Sequence, residues 1–165
     1  MKVIFLDIDG VLNSNLCDEN DLLEISNGEY IDEDKVKLLS AVIQKTQAVV
    51  VLHSGWRFWL NDNLQSISKE ADILLSLLKK YEIEIYDKTP DFSTAEIRKA
   101  KKFSMVKASE IMAWLKEHQE VKAYLVLDDL NLHCEKLSEY QIQTDPAVGL
   151  TEEDVEQAIK MLTLS

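Results

Sequence analysis

Two pairs of aspartates stand at the ends of apolar segments, where their charges could act on a ligand. Asp7 ends the segment KVIFLD (2–7), and Asp9 comes two residues later. Asp128 ends AYLVLD (123–128), and Asp129 follows it directly. Like charges about 4 Å apart repel by roughly 4 kcal/mol at an effective dielectric near 20. Several such pairs would offset much of a domain's stability, which is about 5–15 kcal/mol. A bound divalent cation or partial protonation must therefore relieve the repulsion.

Two further polar features suit an anion beside that cation. Ser54 and Gly55 follow the apolar run in VVVLHSGWR, where a hydroxyl and free amides at a helix start can bind an anion. Lys107, in MVKASEIMAWL, stands just before a predicted helix. Oxygen ligands with open positions favour Mg²⁺, which keeps water and accepts phosphate oxygens as further ligands. The order of acid pair, hydroxyl, lysine and acid pair predicts a Mg²⁺ and phosphate site.

Five short segments are predicted to be strands. Uninterrupted apolar runs at 2–7, 48–53 and 123–128, and a weaker one at 140–145, suit strands covered on both faces, as in a parallel sheet. The segment EIEIY (82–86) alternates polar and apolar residues, which indicates an edge strand with one wetter face.

Helical periodicity fills the intervals between the predicted strands. The residues that share predicted helix faces are Val36, Leu39, Val42 and Ile43; Leu64, Ile67, Ala71, Leu74, Leu75 and Leu78; Ile111, Trp114 and Leu115; and Val155, Ala158, Ile159 and Leu162. Thr151 and Asp154 are placed for a capping box. The alternation predicts a doubly wound α/β domain over residues 1–165, with helices on both faces of a mainly parallel five-stranded sheet. In such sheets the ligand crevice lies at the carboxyl ends of the strands, where Asp7, Asp128 and Asp129 would converge.

The net charge, the apolar runs and the cysteine spacing limit which partners the protein can bind and where in the cell it can be. The 165 residues carry a formal net charge of −12, which argues against stable nucleic-acid binding except at the local basic run RKAKKF (98–103). No apolar run approaches the roughly 18 residues that span a membrane, and the first strand has no signal-peptide cleavage pattern. Cys17 and Cys134 match no metal or redox spacing. We therefore predict reduced thiols and a cytoplasmic protein without a membrane segment.

The four motifs together resemble those of the haloacid dehalogenase (HAD) superfamily of phosphotransferases. They read DIDGVL, LHSGWR, VKASEI and LVLDDL, and they span residues 7–129. SGWR, with the later TDPAVGLTEED, is further similar to the phosphatase domain of modular (Swiss Army Knife) RNA-repair proteins. This resemblance implies a HAD-like, Rossmann-like fold and a Mg²⁺-dependent hydrolase that takes a phosphorylated substrate.

The resemblance also implies a role for each motif residue. Asp7 would be the nucleophile that forms an aspartyl-phosphate, and its carboxylate would also touch Mg²⁺. Asp9 would bind the metal through its backbone carbonyl and use its carboxyl as general acid and base. The remaining assignments are phosphoryl binding by Ser54, Gly55 and Lys107, and Mg²⁺ binding by Asp128 and Asp129, of which either could be the direct ligand.

Several assignments near these motifs stay open at this point. Arg57 is predicted to be a substrate-binding residue, because beside Ser54 it would contact substrate phosphate or order an acidic neighbour; the simpler alternative is that it caps or pairs at a helix start. Core packing is the simpler interpretation for at least two of the aromatic residues Trp56, Phe58 and Trp59, and one of them could stack on a base. Lys99, Lys101 and Lys102 are alternatives to Lys107 as the motif lysine.

The motif spacing predicts little or no cap over the site. The interval from Lys107 to Asp128 holds one predicted helix and a strand, and the earlier interval offers only an acidic loop around Cys17 to Tyr30. Family experience associates such open sites with large substrates, including nucleic-acid ends. A small-metabolite or nucleotide phosphatase is the alternative enzyme. A non-enzymatic phospho-acceptor or partner-binding module is the alternative of another class.

Overall fold

The computed structural model describes residues 1–14, 22–26, 29–100 and 103–164. Its strands are β1 (Lys2–Leu6), β2 (Leu22–Ser26), β3 (Glu29–Asp32), β4 (Val49–Leu52), β5 (Ile85–Lys88), β6 (Ala123–Asp128) and β7 (Gln141–Gln143). Its helices are α1 (Glu33–Thr46), α2 (Lys69–Lys80), α3 (Ala95–Ala100), α4 (Phe103–Glu117), α5 (Glu135–Ser138) and α6 (Glu152–Thr163), and a 3₁₀ helix covers Gly55–Trp59. None of these helices combines the length and apolar character needed to cross a membrane.

Five strands form a parallel sheet in the order β5-β4-β1-β6-β7. Strand β1 lies at the centre, where Leu6 pairs with Leu52 of β4 and Leu127 of β6. Residues Val3–Leu6 have no exposed surface, because helices cover both faces of the sheet. The predicted doubly wound, mainly parallel fold is confirmed.

Alternate residues of β1 enter two separate cores, as the two-residue period of a strand requires. Ile4 and Leu6 pack on the side of α1, α2 and α6, whereas Val3 and Phe5 pack on the side of α4. The Phe5 ring meets the edge of Trp114 with a centroid distance of 5.4 Å. These contacts hold the end of β1, and hence Asp7, between two packed layers.

The predicted helix face that began at Leu64 is wrong in its first turn. The α2 helix begins at Lys69, after Ser68, whose side chain accepts a hydrogen bond from the Ala71 amide. Leu64 adopts a left-handed φ of 61°, and Ile67 is 63% exposed. The side chain of Asn61 accepts hydrogen bonds from two later amides and so forms a turn that competes with helix.

The edge strand begins later than predicted, at Ile85 rather than at Glu82. Glu82 has a φ of 60°, and the next residue, Ile83, donates its amide to the Leu78 carbonyl. These residues therefore complete the end of α2 before the chain can extend. The predicted edge position is confirmed, because β5 pairs only with β4 in the described sheet.

The interval predicted as an acidic loop contains an antiparallel hairpin of β2 and β3. Cys17 lies outside the described residues. Asn27-Gly28 between the two strands is a sequence signal for a hairpin that the acidity of the segment obscured. Between Lys107 and Asp128, the described chain holds the rest of α4 and β6 and no inserted cap element.

Candidate active site

Three carboxylates meet at the carboxyl edge of the sheet. The Asp7 amide, just past β1, donates to the Leu127 carbonyl (3.0 Å), which places Asp7 beside the end of β6. Asp7, Asp128 and Asp129 each offer a carboxylate oxygen within 4.8 Å of the others, and we call them the carboxylate cluster. Asp7 and Asp128 are buried, and Asp129 is half-buried. The fold thus brings together acids that are more than 100 residues apart in the chain.

Lys107 reaches this cluster from α4. Its Nζ lies 3.0 Å from Asp128 Oδ2 and 3.3 Å from Asp7 Oδ2. The expectation that Lys107 precedes a helix is wrong, because α4 begins one turn earlier at Phe103 and contains no helix-breaking residue before the lysine. Of the alternative lysines, Lys99 is exposed on α3, and Lys101 and Lys102 lie outside the described residues.

Burial sets the electrostatics of the cluster. Desolvation raises the pKa of Asp7, and Asp128 raises it further, while Lys107 lowers it. Desolvation also raises the pKa of Asp128 and of Asp129. Burial by itself would lower the pKa of Lys107, but Asp7 and Asp128 together raise it. When all four groups are charged, three carboxylates and one ammonium leave two negative charges.

His53 does not supply the missing positive charge. It is fully buried, and this burial lowers its pKa to about 3. Its Nε2 lies 3.6 Å from Asp128 Oδ2, beyond hydrogen-bond distance, and neither ring nitrogen has a hydrogen-bond partner. The imidazole is therefore neutral at physiological pH.

The cluster fits a divalent cation with a preference for oxygen ligands. Its uncompensated charge matches such an ion, and its donors are carboxylates alone, as Mg²⁺ prefers. Asp128 already accepts hydrogen bonds from the Leu130 amide (2.9 Å) and from Lys107. Asp7 and Asp129 are therefore the better candidates for direct ligands.

Gly10 permits the close approach of the first loop to Asp129. It has a φ of +79°, and an added Cβ would lie 2.6 Å from the Asp129 carboxyl carbon. Thr144 Oγ1 donates to the Gly10 carbonyl (2.7 Å) and holds the turn in place. A side chain at this position would be strained and would displace a cluster member.

Asp9 stands apart from the carboxylate cluster. It is exposed and lines the same cavity. Its Oδ2 accepts a hydrogen bond from Trp56 Nε1 (3.2 Å), and its Oδ1 accepts one from Asn13 Nδ2 (3.1 Å). This contact of Trp56 was not predicted from the sequence, although a buried indole N–H commonly has a polar partner. Asp7 and Asp9 are thus two unequal acids in one motif.

Ser54 and Gly55 open the 3₁₀ helix at the floor of the cavity. Ser54 Oγ accepts a hydrogen bond from the Trp56 amide (3.2 Å), which fixes the serine as the helix N-cap. Space is open beside Gly55, because, apart from its chain neighbours and the backbone of its own helix, no heavy atom lies within 4 Å of where its Cβ would be. The cavity has a volume of about 590 Å³, and Asp7, Asp9, Ser54 and Lys107 all line it.

Arg57 lies beside this floor in a buried ion pair that the sequence did not reveal. Its Nη2 is 2.8 Å from Glu110 Oε2, and its Nη1 donates to the His53 and Ser54 carbonyls. Glu110 also accepts a hydrogen bond from the Phe92 amide (2.9 Å). Of the three roles that were open for Arg57, this geometry corresponds to ordering an acidic neighbour. Glu110 lies one helical turn after Lys107, which was the available signal.

Replacing Glu110 with glutamine should lower the free energy of unfolding by about 2 kcal/mol, in the range of hydrogen bonds to charged groups. The amide keeps the shape of the side chain but leaves the buried Arg57 guanidinium without a counter-charge. Urea denaturation at neutral pH measures the change. Glu117→Gln, on an exposed position of the same helix, is the control. Equal stability of the two variants would show that the ion pair contributes nothing.

The aromatic residues of the 3₁₀ helix divide between core and cavity. Trp56 is buried, Trp59 is partly buried against the core, and their rings pack edge to face at 4.9 Å. Phe58 is 49% exposed and lines the cavity. The interpretation that at least two of these aromatics belong to the core is confirmed.

Comparison with known proteins identifies the family. No curated protein and no solved structure matches the chain significantly. A family model described as the HAD domain in Swiss Army Knife RNA repair proteins matches residues 3–155, which include every residue of the carboxylate cluster as well as Ser54 and Lys107. A HAD domain supports a hydrolase of the phosphatase type in general. The chain therefore belongs to the HAD superfamily, in the family of the HAD domain of Swiss Army Knife RNA repair proteins.

Proposed function

We propose that this protein hydrolyses phosphate monoesters in a Mg²⁺-dependent reaction, with Asp7 as the nucleophile. The observation that carries the proposal is the position of Lys107, whose ammonium joins Asp7 to Asp128 at the floor of the cavity. A cation beside a buried carboxylate, next to the Ser54 N-cap, gives an incoming phosphoryl group both an anion site and a nucleophile.

The reaction consists of two displacements. The Asp7 carboxylate attacks phosphorus, the bond to the ester oxygen breaks, and Asp9 donates its proton to the departing alkoxide. Asp9 then accepts a proton from water as that water attacks the aspartyl-phosphate, which releases phosphate and restores Asp7. The hydrogen bonds from Trp56 and Asn13 hold Asp9 outside the carboxylate cluster, at the wall of the cavity that Asp7 also lines.

The residues around Asp7 neutralise and position the phosphoryl group. We assign Lys107, Ser54 and the amide of Gly55 to its oxygens. We assign Arg57 to holding the wall of this site through Glu110. The carboxylates of Asp7 and Asp129, with Asp128 beside them and the backbone carbonyl of Asp9, would hold Mg²⁺. When bound, this ion supplies positive charge that keeps Asp7 ionised and orients the phosphoryl oxygens.

Stabilisation by Mg²⁺ should increase as the pH rises from the ordinary carboxyl pKa of 3.8 through the raised pKa values of the cluster. The pKa values of Asp7, Asp128 and Asp129 are raised above the ordinary 3.8, so the metal-free folded chain binds protons more tightly than the unfolded chain. It therefore loses stability as the pH rises through these raised values, and a cation that binds the ionised cluster opposes the loss. Thermal denaturation with Mg²⁺ and with EDTA at each pH measures the difference.

A difference in Tm between Mg²⁺ and EDTA that stays constant across this pH range would contradict the linkage. Asp129→Asn is the matched variant, because it removes one carboxylate of the cluster and keeps its volume. We expect it to reduce the Mg²⁺-dependent shift at every pH.

The preferred substrate class is a phosphorylated nucleic-acid end. The family description names RNA repair proteins, and the chain between Lys107 and Asp128, all of which the structure describes, holds no inserted cap element. A substrate panel tests the proposal: a 3′-phosphorylated oligonucleotide, mononucleotides and sugar phosphates, each with Mg²⁺ and with EDTA. Hydrolysis of the oligonucleotide that requires Mg²⁺ supports it.

The other outcomes of the panel select the alternatives. If mononucleotides or sugar phosphates are hydrolysed and the oligonucleotide is not, the protein is a small-molecule phosphatase. Absence of turnover on every ester would contradict the enzymatic proposal and favour a phospho-acceptor or partner-binding module.

A further inference from the structure

Three large apolar side chains are exposed where the cavity opens. Phe58, Phe103 and Leu130 line the cavity and are 49%, 42% and 40% exposed, and we call them the apolar rim. Each is close in the chain to a residue of the proposed reaction. Phe58 lies in the 3₁₀ helix capped by Ser54, Phe103 lies one helical turn before Lys107, and Leu130 follows Asp129 directly.

Two residues of the apolar rim contact, or are hydrogen-bonded to, residues of the proposed phosphate site. The Arg57 guanidinium lies 4.5 Å from the centre of the Phe58 ring, and Glu110 holds that guanidinium. The Leu130 amide donates to Asp128 Oδ1. These contacts fix the position of the apolar rim relative to the residues that would bind a phosphoryl group near Asp7.

A phosphoryl group makes no use of apolar contacts, so the rim suits another part of the substrate. The cavity volume of about 590 Å³ is in the range of sites that enclose a whole small molecule. Exposed apolar side chains grouped at one cavity commonly mark a ligand site. Two phenylalanine rings and a leucine offer flat and branched surfaces against which a planar ring can stack.

We propose that the apolar rim binds a planar ring of the leaving group, so that the site prefers monoesters whose alcohol carries a nucleobase over those of a bare sugar. This inference rests on the proposed phosphatase function and names the part of its substrate that the rim selects. Free nucleotides and oligonucleotide ends share this chemistry, and separate pairs of substrates distinguish them.

The test compares two matched pairs in the presence of Mg²⁺. One pair is adenosine 5′-monophosphate and ribose 5-phosphate; the other is a 3′-phosphorylated oligonucleotide with and without the base of its last nucleotide. We expect kcat/KM to be about 10-fold higher for the base-bearing member, the factor that stacking of one base provides. A preference in both pairs assigns the rim to nucleotides in general, and a preference in the oligonucleotide pair alone assigns it to strand ends.

Variants of the rim should remove the preference without removing hydrolysis. We expect the ratio of kcat/KM between the base-bearing and the base-free substrate to fall towards one in the double variant Phe58→Ala/Phe103→Ala. The same ratio should fall several-fold in Leu130→Ala, which truncates a single side chain outside the helices. Met105→Ala is the matched control, because Met105 is 65% exposed on the same helix as Phe103 but does not line the cavity. It should keep the wild-type ratio.

Two results would overturn the inference. If esters are hydrolysed with equal kcat/KM within each pair, the rim assignment is wrong and the phosphatase function stands. If no ester is hydrolysed, the phosphatase function is wrong, and calorimetric binding of adenosine 5′-monophosphate and ribose 5-phosphate tests the rim independently. Equal affinities would then overturn the assignment, whereas an adenosine preference lost in the double variant would support it.

Discussion

Asp7→Asn should lower kcat/KM for phosphate-ester hydrolysis by about 10⁴-fold or more, because the amide cannot form the aspartyl-phosphate. The loss should appear in kcat, since the variant keeps the Lys107 ammonium and the Ser54 cap that bind the phosphoryl group. Steady-state hydrolysis of the best ester of the panel, in the presence of Mg²⁺, measures it. No other single side chain of the site is expected to have a larger effect.

Folding of the Asp7→Asn variant should be intact, which separates the chemical effect from a structural one. Burial raises the pKa of Asp7, so its ionised carboxylate is held in the fold at a cost that a neutral amide of similar volume avoids. We therefore expect a metal-free Tm equal to or above that of the wild type. Asp62→Asn, on an exposed turn away from the cavity, is the control for activity. Full activity of Asp7→Asn would exclude covalent catalysis by this residue.

Lys107→Met should lower kcat/KM on the order of 10³-fold, the upper range for removal of one group that stabilises developing charge. Methionine keeps most of the length of the side chain and removes the ammonium that lies within 3.3 Å of both Asp7 and Asp128. The change should also lower metal-free stability at pH 8, where both carboxylates are more fully ionised and face each other without their cation.

Lys99→Met is the matched control for the lysine. Lys99 lies in the nearby basic run RKAKKF (98–103) and is exposed on α3, and its replacement should change neither activity nor stability. If Lys99→Met reduced kcat/KM as much as Lys107→Met, the assignment of the motif lysine would be wrong.

Much of the fold could be predicted because its strands are simple sequence signals. The runs of β1, β4 and β6 are apolar without interruption, and such runs indicate strands with both faces covered. The error at Leu64 and Ile67 has a local cause. Their spacing suits a helix, but hydrogen bonds from the Asn61 side chain favour a turn, and periodicity carries no information on that competition.

The part of the site that lies at the ends of the strands could be predicted from the sequence. Asp7 and Asp128 end neighbouring parallel strands, so their convergence follows from the topology. The contacts of Asp9 with Trp56 and of Arg57 with Glu110 depend on where the 3₁₀ helix and α4 pack. Neither pair has a spacing that indicates contact, since they are separated by 47 and 53 residues. The apolar rim was hidden for the same reason.

The most direct test of the central claim is to trap the phosphoryl group on the protein. Rapid acid quench of Asp9→Asn with a good substrate and Mg²⁺, followed by peptide mapping by mass spectrometry, locates any covalent phosphate. The variant keeps the Asp7 nucleophile but lacks the base that activates water, so the intermediate should accumulate. We predict phosphate on Asp7. Turnover without any protein-bound phosphate, or phosphate on another residue, would contradict the mechanism.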